Sequence, residues 1–168
     1  MLCQKVIKTA LFSLALALAL AATSGQAQET NVAFAGLKTD VSQPVQVDAD
    51  QLSVNQKDGT ATFSGNVVVV QGDMRLQAGE VTIVYSTDNR SIETLHAEGG
   101  VTLAAGTDAA TAQTADYRPD TGDLILIGDV VLTQGAVALS GQKLTLSLTS
   151  GTGTMSGRVT TIFTPGSN

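Results

Sequence analysis

The chain has 168 residues, of which 43% are hydrophobic and only 4% aromatic, and its nine Lys+Arg against fifteen Asp+Glu give a formal net charge of −6. That length holds one domain plus an address segment. Isolated basic residues exclude a phosphate-tracking nucleic-acid binder, which needs clustered Lys and Arg, and the acidic balance excludes charge-driven attachment to anionic membranes.

Residues 1–27 read as a secretory signal peptide. Lys5 and Lys8 supply the positive start, residues 10–22 are an apolar run, and Gly25-Gln26-Ala27 offers small residues for cleavage after Ala27. The run falls short of the roughly 20 apolar residues of a membrane span. Retention as an N-terminal anchor is the alternative. Cys3 lies in this leader, so the mature chain would have no cysteine and no thiolate metal site. Residues 28–42 are polar and small apart from Phe34 and Leu37, and a flexible arm is expected there.

From Gln43 onward the pattern is that of strands and turns, and residues 43–165 are expected to form one domain, with 166–168 as a tail. Pro44 cannot donate to a ladder, so it marks an edge or a strand start. Val45 and Val47 alternate with Gln46, and Leu52 and Val54 continue this pattern to the turn Lys57-Asp58-Gly59. Over residues 60–71, Phe63, Gly65, Val67 and Val69 share one face. Met74 and Leu76, then Val81, Ile83 and Tyr85, alternate with polar residues, and 86–90 is a polar turn. The next strand turns inward either Ile92, Thr94 and His96 or Glu93, Leu95 and Ala97. Val101 and Leu103 follow, and residues 104–110 read as a small loose loop. Ala115 and Tyr117 precede the break Arg118-Pro119-Asp120-Thr121-Gly122-Asp123. Leu124, Leu126, Val130 and Leu132 oppose an equally apolar set, Ile125, Ile127 and Val131. A strand apolar on both faces is expected to be covered on both sides or to pair with a partner. Val137 and Leu139, then Leu144, Leu146 and Leu148, alternate cleanly, and 158–163 is the last strand. No stretch of the mature chain has helical periodicity.

The pattern repeats. Gly65-Asn66-Val67 returns as Gly99-Gly100-Val101, Gly128-Asp129-Val130 and Gly157-Arg158-Val159, and Ala49, Ala78, Ala112 and Gly141 form a second series, both at steps of 29 or 34 residues. A shift of 63 lays residues 63–72 over 126–135. Four related units in one short chain imply a repetitive all-β architecture.

Residues that carry chemistry are sparse. His96 is the single histidine, beside Glu98. No HExxH, P-loop or GxSxG spacing is present. Asp48/Asp50 and Asp120/Asp123 could be paired carboxylates, but both pairs lie at turns, where Asp bonds locally. No enzyme activity, cofactor or metal is expected. What recurs is one apolar face per strand. A plain core between two sheets and an apolar trough for a lipid need the same alternation.

Gln43-Pro-Val-Gln-Val47, Ala49-Asp-Gln51, Gly59-Thr-Ala-Thr-Phe-Ser-Gly-Asn-Val67, Gln71-Gly72, Ala78 with Val81, Ala112 with Tyr117, Gly128-Asp-Val130 and Arg158-Val-Thr-Thr161 together resemble the LptA/OstA family of periplasmic lipopolysaccharide transport proteins. The resemblance covers nearly all of residues 43–165, in order. Leu103 stands where members can carry a larger aromatic. The resemblance implies a twisted, slightly open antiparallel β-jelly roll with a V-shaped section. It implies a periplasmic carrier of lipopolysaccharide that shields the acyl chains of lipid A. It implies stacking head to tail into a bridge from an inner-membrane LptC-like partner to an outer-membrane LptD-like partner. An anchored LptC-like subunit, or a secreted β-repeat structural protein without cargo, are the other readings.

Strand parity, supported at Val45, Val47, Leu103 and Tyr117 by the resemblance, gives the lipid-lining set Val45, Val47, Phe63, Val67, Val69, Leu76, Val81, Ile83, Leu103, Tyr117, Leu126, Val130, Leu132, Leu144 and Leu146. The expected assembly edges are Gln43, Val45 and Val47 at one end and Arg158, Thr160 and Ile162 at the other. Unpaired backbone groups there would invite a second chain.

Overall fold

Alternating apolar residues and glycine-marked turns lay the chain out as strands alone. A computed structural model describes residues 30–33, 37–87 and 91–164; the expected leader 1–27 and tail 166–168 lie outside them. The strands are β1 (Thr30–Ala33), β2 (Gln46–Asp48), β3 (Gln51–Asn55), β4 (Thr60–Gln71), β5 (Met74–Tyr85), β6 (Ile92–Glu98), β7 (Val101–Ala105), β8 (Asp108–Ala112), β9 (Thr114–Arg118), β10 (Asp123–Gln134), β11 (Val137–Ser147), β12 (Thr152–Ser156) and β13 (Thr160–Phe163). They form one 13-stranded sheet. All pairings are antiparallel, as in β4 with β5 and β10 with β11. This is the expected all-β antiparallel jelly roll.

The sheet is folded into two arms because its four long strands change partners halfway. β4 pairs with β3 up to Ser64 and with β2 from Val68. β5 pairs with β7 up to Gln77 and with β6 from Glu80. β10 pairs with β9 up to Ile127 and with β8 from Val131. β11 pairs with β13 up to Ser140 and with β12 from Lys143. One arm therefore holds β2, β7, β8 and β13, and the other holds β3, β6, β9, β12 and β1, each with its halves of the long strands.

Both repeated series of the sequence line the crease between the arms. The four Gly-X pairs have positive φ at both residues: Gly65 81° and Asn66 48°, Gly99 82° and Gly100 85°, Gly128 87° and Asp129 46°, Gly157 83° and Arg158 48°. Two successive left-handed residues act as a bulge, bending the strand and raising its twist. The residue after each member of the second series, Asp50, Gly79, Gln113 and Gln142, lies against the glycine of the matching pair. Side chains clip two of these contacts: Asn66 Nδ2 donates to Asp50 Oδ2 at 2.8 Å and Gln113 Nε2 to Asp129 Oδ2 at 2.9 Å. Asp50, read in the sequence as one half of a carboxylate pair, is thus a crease residue.

Apolar rungs cross the inner face of each arm. In the first, Val47, Val69, Leu76, Leu103, Ala110, Leu132 and Leu139 are successive cross-strand neighbours. In the second, Leu52, Phe63, Val81, Ala97, Ala115, Leu126, Leu144 and Met155 are. Side chains of both arms meet in a single buried cluster. Removing each large side chain from water stabilises the fold by about 1.5–3 kcal/mol.

Three expectations are corrected, and one left open is decided. Residues 28–42 are not a free arm throughout: Thr30–Ala33 pairs with β12, and Leu37 is 1% exposed in the core. Its apolar side chain is drawn to the one place in that polar stretch where it can leave water. Residues 104–110 are not a loose loop but the β7–β8 hairpin, turning at Gly106-Thr107. Small side chains gave no strand signal, and the ladders to β5 and β10 on either side supply the missing support. β10 is covered on one face only, since Ile127 and Val131 on the outer face are each 42% exposed. An arm is a single layer, and only its inner face meets the other arm. In β6, Leu95 and Ala97 turn inward and Glu93 stays out.

Candidate functional site: an apolar interior closed by a strap

All fifteen predicted lining residues lie in or against one interior. Twelve of them are 3% exposed or less, and Val45, Val47 and Phe63 are partly buried against the same cluster. The lining set left out Met74, Leu124 and Leu148, which share the alternation of its members, and Leu139 and Met155, all buried there. Two apolar side chains of the inner face reach solvent at the β3 edge: Leu52 is 57% and Val54 59% exposed. Val54 continues the inward rung Ala61, Ile83, Leu95, Tyr117 and Leu124. The interior stripe thus runs out to the free edge of the sheet.

Opposite the crease, the arms are joined by a polar contact between two buried side chains. Gln71 ends β4 in the first arm and is 2% exposed. Tyr117 is 1% exposed in β9 of the second arm. The Tyr117 hydroxyl donates to Gln71 Oε1. Gln71 Nε2 donates to the carbonyls of Val41 and Gln43, at 2.9 and 2.8 Å. A buried amide needs partners of this kind, since each one lost costs about 1–3 kcal/mol. In the sequence Gln71 stands out only within the Gln71-Gly72 motif. Its parity with Val67 and Val69 was the available signal that it points inward.

Residues 37–43 lie across this mouth like a strap. At one end the Thr39 amide donates to the Leu148 carbonyl at 3.1 Å. Val41 Cγ1 and Thr149 Cγ2 both crowd the space beside Gly122, in the β9–β10 turn. At the other end Asp40 lies beside the Gly72 turn of the first arm. Asp40 is held below the usual carboxylate range by hydrogen bonds from Gln43 and Ser42, which shape the local turn. Among the described residues the buried Thr39 hydroxyl oxygen has no hydrogen-bond partner. His96, by contrast, is on the outer face of its arm, 2.6 Å from Asp116 through Nδ1, and has no part in the interior.

Burial, and then the Asp120 charge, push the Tyr117 hydroxyl up to about 12 from 10.0. It therefore stays protonated and donating at neutral pH. In the unfolded chain it ionises near its ordinary value, so the folded state holds the extra proton between the two pKa values. Stability from this group is fully present below about pH 10 and is lost as pH rises toward 12, at up to about 1.4 kcal/mol per pH unit. Urea unfolding at pH 9, 10 and 11 is expected to show this fall, and Tyr117→Phe is expected to flatten it.

A two-armed jelly roll with a continuous apolar inner face defines the class of the protein. The sequence profile of the LptA/(LptD N-terminal domain) LPS transport protein family matches residues 46–152. The chain belongs to this family, which is a transport family and not an enzyme family. It is similar to an uncharacterized protein of Rhizobium meliloti (strain 1021), with 31% identity over 163 residues and 88% of each chain covered. It is similar also to the lipopolysaccharide export system protein LptA of Escherichia coli (strain K12), with 30% identity over 60 residues, 36% of this chain and 32% of that protein. The fold matches the crystal structure of LptH, the LptA-homologous periplasmic component of the lipopolysaccharide transport device of Pseudomonas aeruginosa. That match has a TM-score of 0.68 at 21% identity and covers 76% of this chain and 99% of the other.

Proposed function

We propose that the mature protein is a periplasmic carrier that shields the acyl chains of lipid A between its arms as lipopolysaccharide passes from inner to outer membrane. The inner-face stripe that runs out to exposed Leu52 and Val54 at the β3 edge carries this reading. Each methylene exposed to water costs about 0.8 kcal/mol, so a multi-acyl lipid needs apolar cover that continues from one carrier to the next. The lining residues are the fifteen named above. A photo-reactive residue at Val47 or Tyr117 is expected to capture lipopolysaccharide in cells, and one at Gln46, on the opposite face, is not. Equal capture at all three positions overturns the reading.

Continuity also requires stacking, head to tail, toward an LptC-like partner on one side and an LptD-like partner on the other. Among the described residues β2 and β3 pair only with β4, and β13 pairs only with β11, so each leaves a backbone edge free there. Gln43 and Val45 precede β2, and Arg158 lies in the crease; Val47, Thr160 and Ile162 are in the edge strands themselves. The phase of the β13 ladder selects the free donors. The Thr164 amide donates to the Ala136 carbonyl, so the amides of Ile162 and Thr160 also face β11, and those of Thr161 and Phe163 face outward. Thr161→Pro is therefore expected to shift the protein toward monomer with its melting temperature kept. Ile162→Pro is expected to lower the melting temperature as well, because it removes a native ladder bond. Sedimentation over a concentration series, with thermal melts, checks both; a Thr161→Pro protein that associates like the unmodified one sinks the edge model.

A further inference from the structure

The mouth of the interior is closed by few contacts, and they can be exchanged. Every long strand is held by ladders on both sides, but the strap over residues 37–43 has one amide bond to Leu148 and two carbonyl bonds from Gln71. It carries a cost as well, the unpartnered Thr39 hydroxyl. Segments held by few bonds open at the lowest free energy. The interior behind it is filled by its own side chains, with Leu37 of the strap among them. A guest acyl chain must therefore take the place of something, and the strap is the piece whose removal breaks no ladder.

Removal of the strap leaves two inward-facing donors, the N–H groups of Gln71 Nε2, at the rim of an apolar cavity. They now hold two peptide carbonyls. An ester or amide carbonyl at the head of an acyl chain has the same acceptor geometry and would enter with its hydrocarbon directed inward. We propose that residues 37–43 are a displaceable strap, that the carbonyls of Val41 and Gln43 stand where acyl carbonyls of a bound lipid go, and that Gln71, oriented by Tyr117, passes its hydrogen bonds from one to the other. This rests on the lipid-carrier reading and adds the recognised group and the gate.

The gate can be locked. Val41 Cγ1 and Thr149 Cγ2 lie 3.0 and 2.9 Å from one point, where a Gly122 side chain would begin. The two γ atoms are therefore no more than about 6 Å apart, in the range from which cysteines at the two positions can be joined on oxidation, scored by loss of free thiols, and the chain's one cysteine, Cys3, is in the expected leader. The oxidised Val41→Cys/Thr149→Cys protein is expected to bind purified lipid A at least about tenfold more weakly than the same protein reduced, with the unmodified protein indifferent to oxidant. Equal binding oxidised and reduced overturns the strap. A second readout does not need the disulfide: in the unmodified protein, lipid A is expected to accelerate hydrogen exchange of the Thr39 amide, and slowing or no change overturns the proposal.

The carbonyl is tested with an O-acylated sugar and its O-alkyl ether analogue of equal chain length. The unmodified protein is expected to prefer the acylated probe by about 3–10-fold, the range of one or two net hydrogen bonds. The double variant Gln71→Met/Tyr117→Phe, which removes both polar partners at nearly constant shape, is expected to lose that preference and still bind. Equal binding of the two probes by the unmodified protein, or a preference that survives the double variant, overturns the role of Gln71. An unmodified protein that binds neither lipid A nor either probe contradicts the carrier reading instead.

Discussion

Val67→Asp is expected to unfold the protein at neutral pH and to be partly rescued by acid. Val67 is 1% exposed and directly opposite Ala78. The substitution forfeits about 1.5–3 kcal/mol of valine burial and places a carboxyl in apolar surroundings with no partner to receive it. Ionised, that group costs several kcal/mol more, so it stays neutral in the folded state and its pKa rises. The sum is a large part of the roughly 5–15 kcal/mol that holds an ordinary domain together. The sign of the pH effect follows from the raised pKa. Above the unfolded value the unfolded chain gives up the proton that the folded chain must keep, so stability falls as pH rises and returns as pH drops. Val131→Asp is the control. Val131 is 42% exposed on the outer face, and a loss below about 1 kcal/mol is expected there. Urea titrations followed by circular dichroism at pH 7 and pH 4 measure both, and equal losses at the two sites would contradict the inward and outward assignment.

Gly128→Val is expected to cost about 4 kcal/mol or more and to disrupt the crease in a central strand. Two penalties add. The residue has φ +87°, where a β-branched side chain is strained by roughly 1–3 kcal/mol. Its first side-chain atom would then stand 2.7 Å from Gln113 Oε1 and 2.9 Å from Gln113 Cβ. The amide end could swing away, at the expense of its 2.9 Å bond to Asp129. The Cβ cannot, because the Gln113 amide is bonded to the carbonyls of Ile127 and Gly128 at 3.0 and 3.1 Å. Gly100→Ala separates the penalties. It has φ +85° but nothing within 4 Å of the added carbon, so only the backbone term remains, about 1–2 kcal/mol. Thermal unfolding of the two variants reads the difference. A Gly128→Val protein as stable as Gly100→Ala would show that the crease can widen at no cost.

The all-β class and the inward face of most strands were legible in the sequence because they rest on a local rule. Successive side chains in a strand alternate sides, so Val67 and Val69, or Leu144 and Leu146, declare their shared face without knowledge of their neighbours. The repeated Gly-X pairs were legible as a period. Their meaning was not, since the contact of Gly128 with Gln113 or Gly65 with Asp50 joins residues about 15 positions apart, through ladders that no local pattern specifies. Weak local signals misled wherever the support came from elsewhere. The alanine-rich 104–110 stretch is a hairpin because β5 and β10 flank it, and 37–43 is ordered because Leu37 and the Gln71 amide hold it.

Composition, alternation and period by themselves determined that this chain is a repetitive β-protein with an apolar inner face, and the ordered set of motifs pointed to its transport family. The tertiary structure alone decided which end of that face is closed and by what. Gln71 and Tyr117 are 46 residues apart, and the strap held by Gln71 comes from between β1 and β2. Hydrogen bonds between such groups depend on how two arms fold over one crease, and burial makes them obligatory only after that fold has formed.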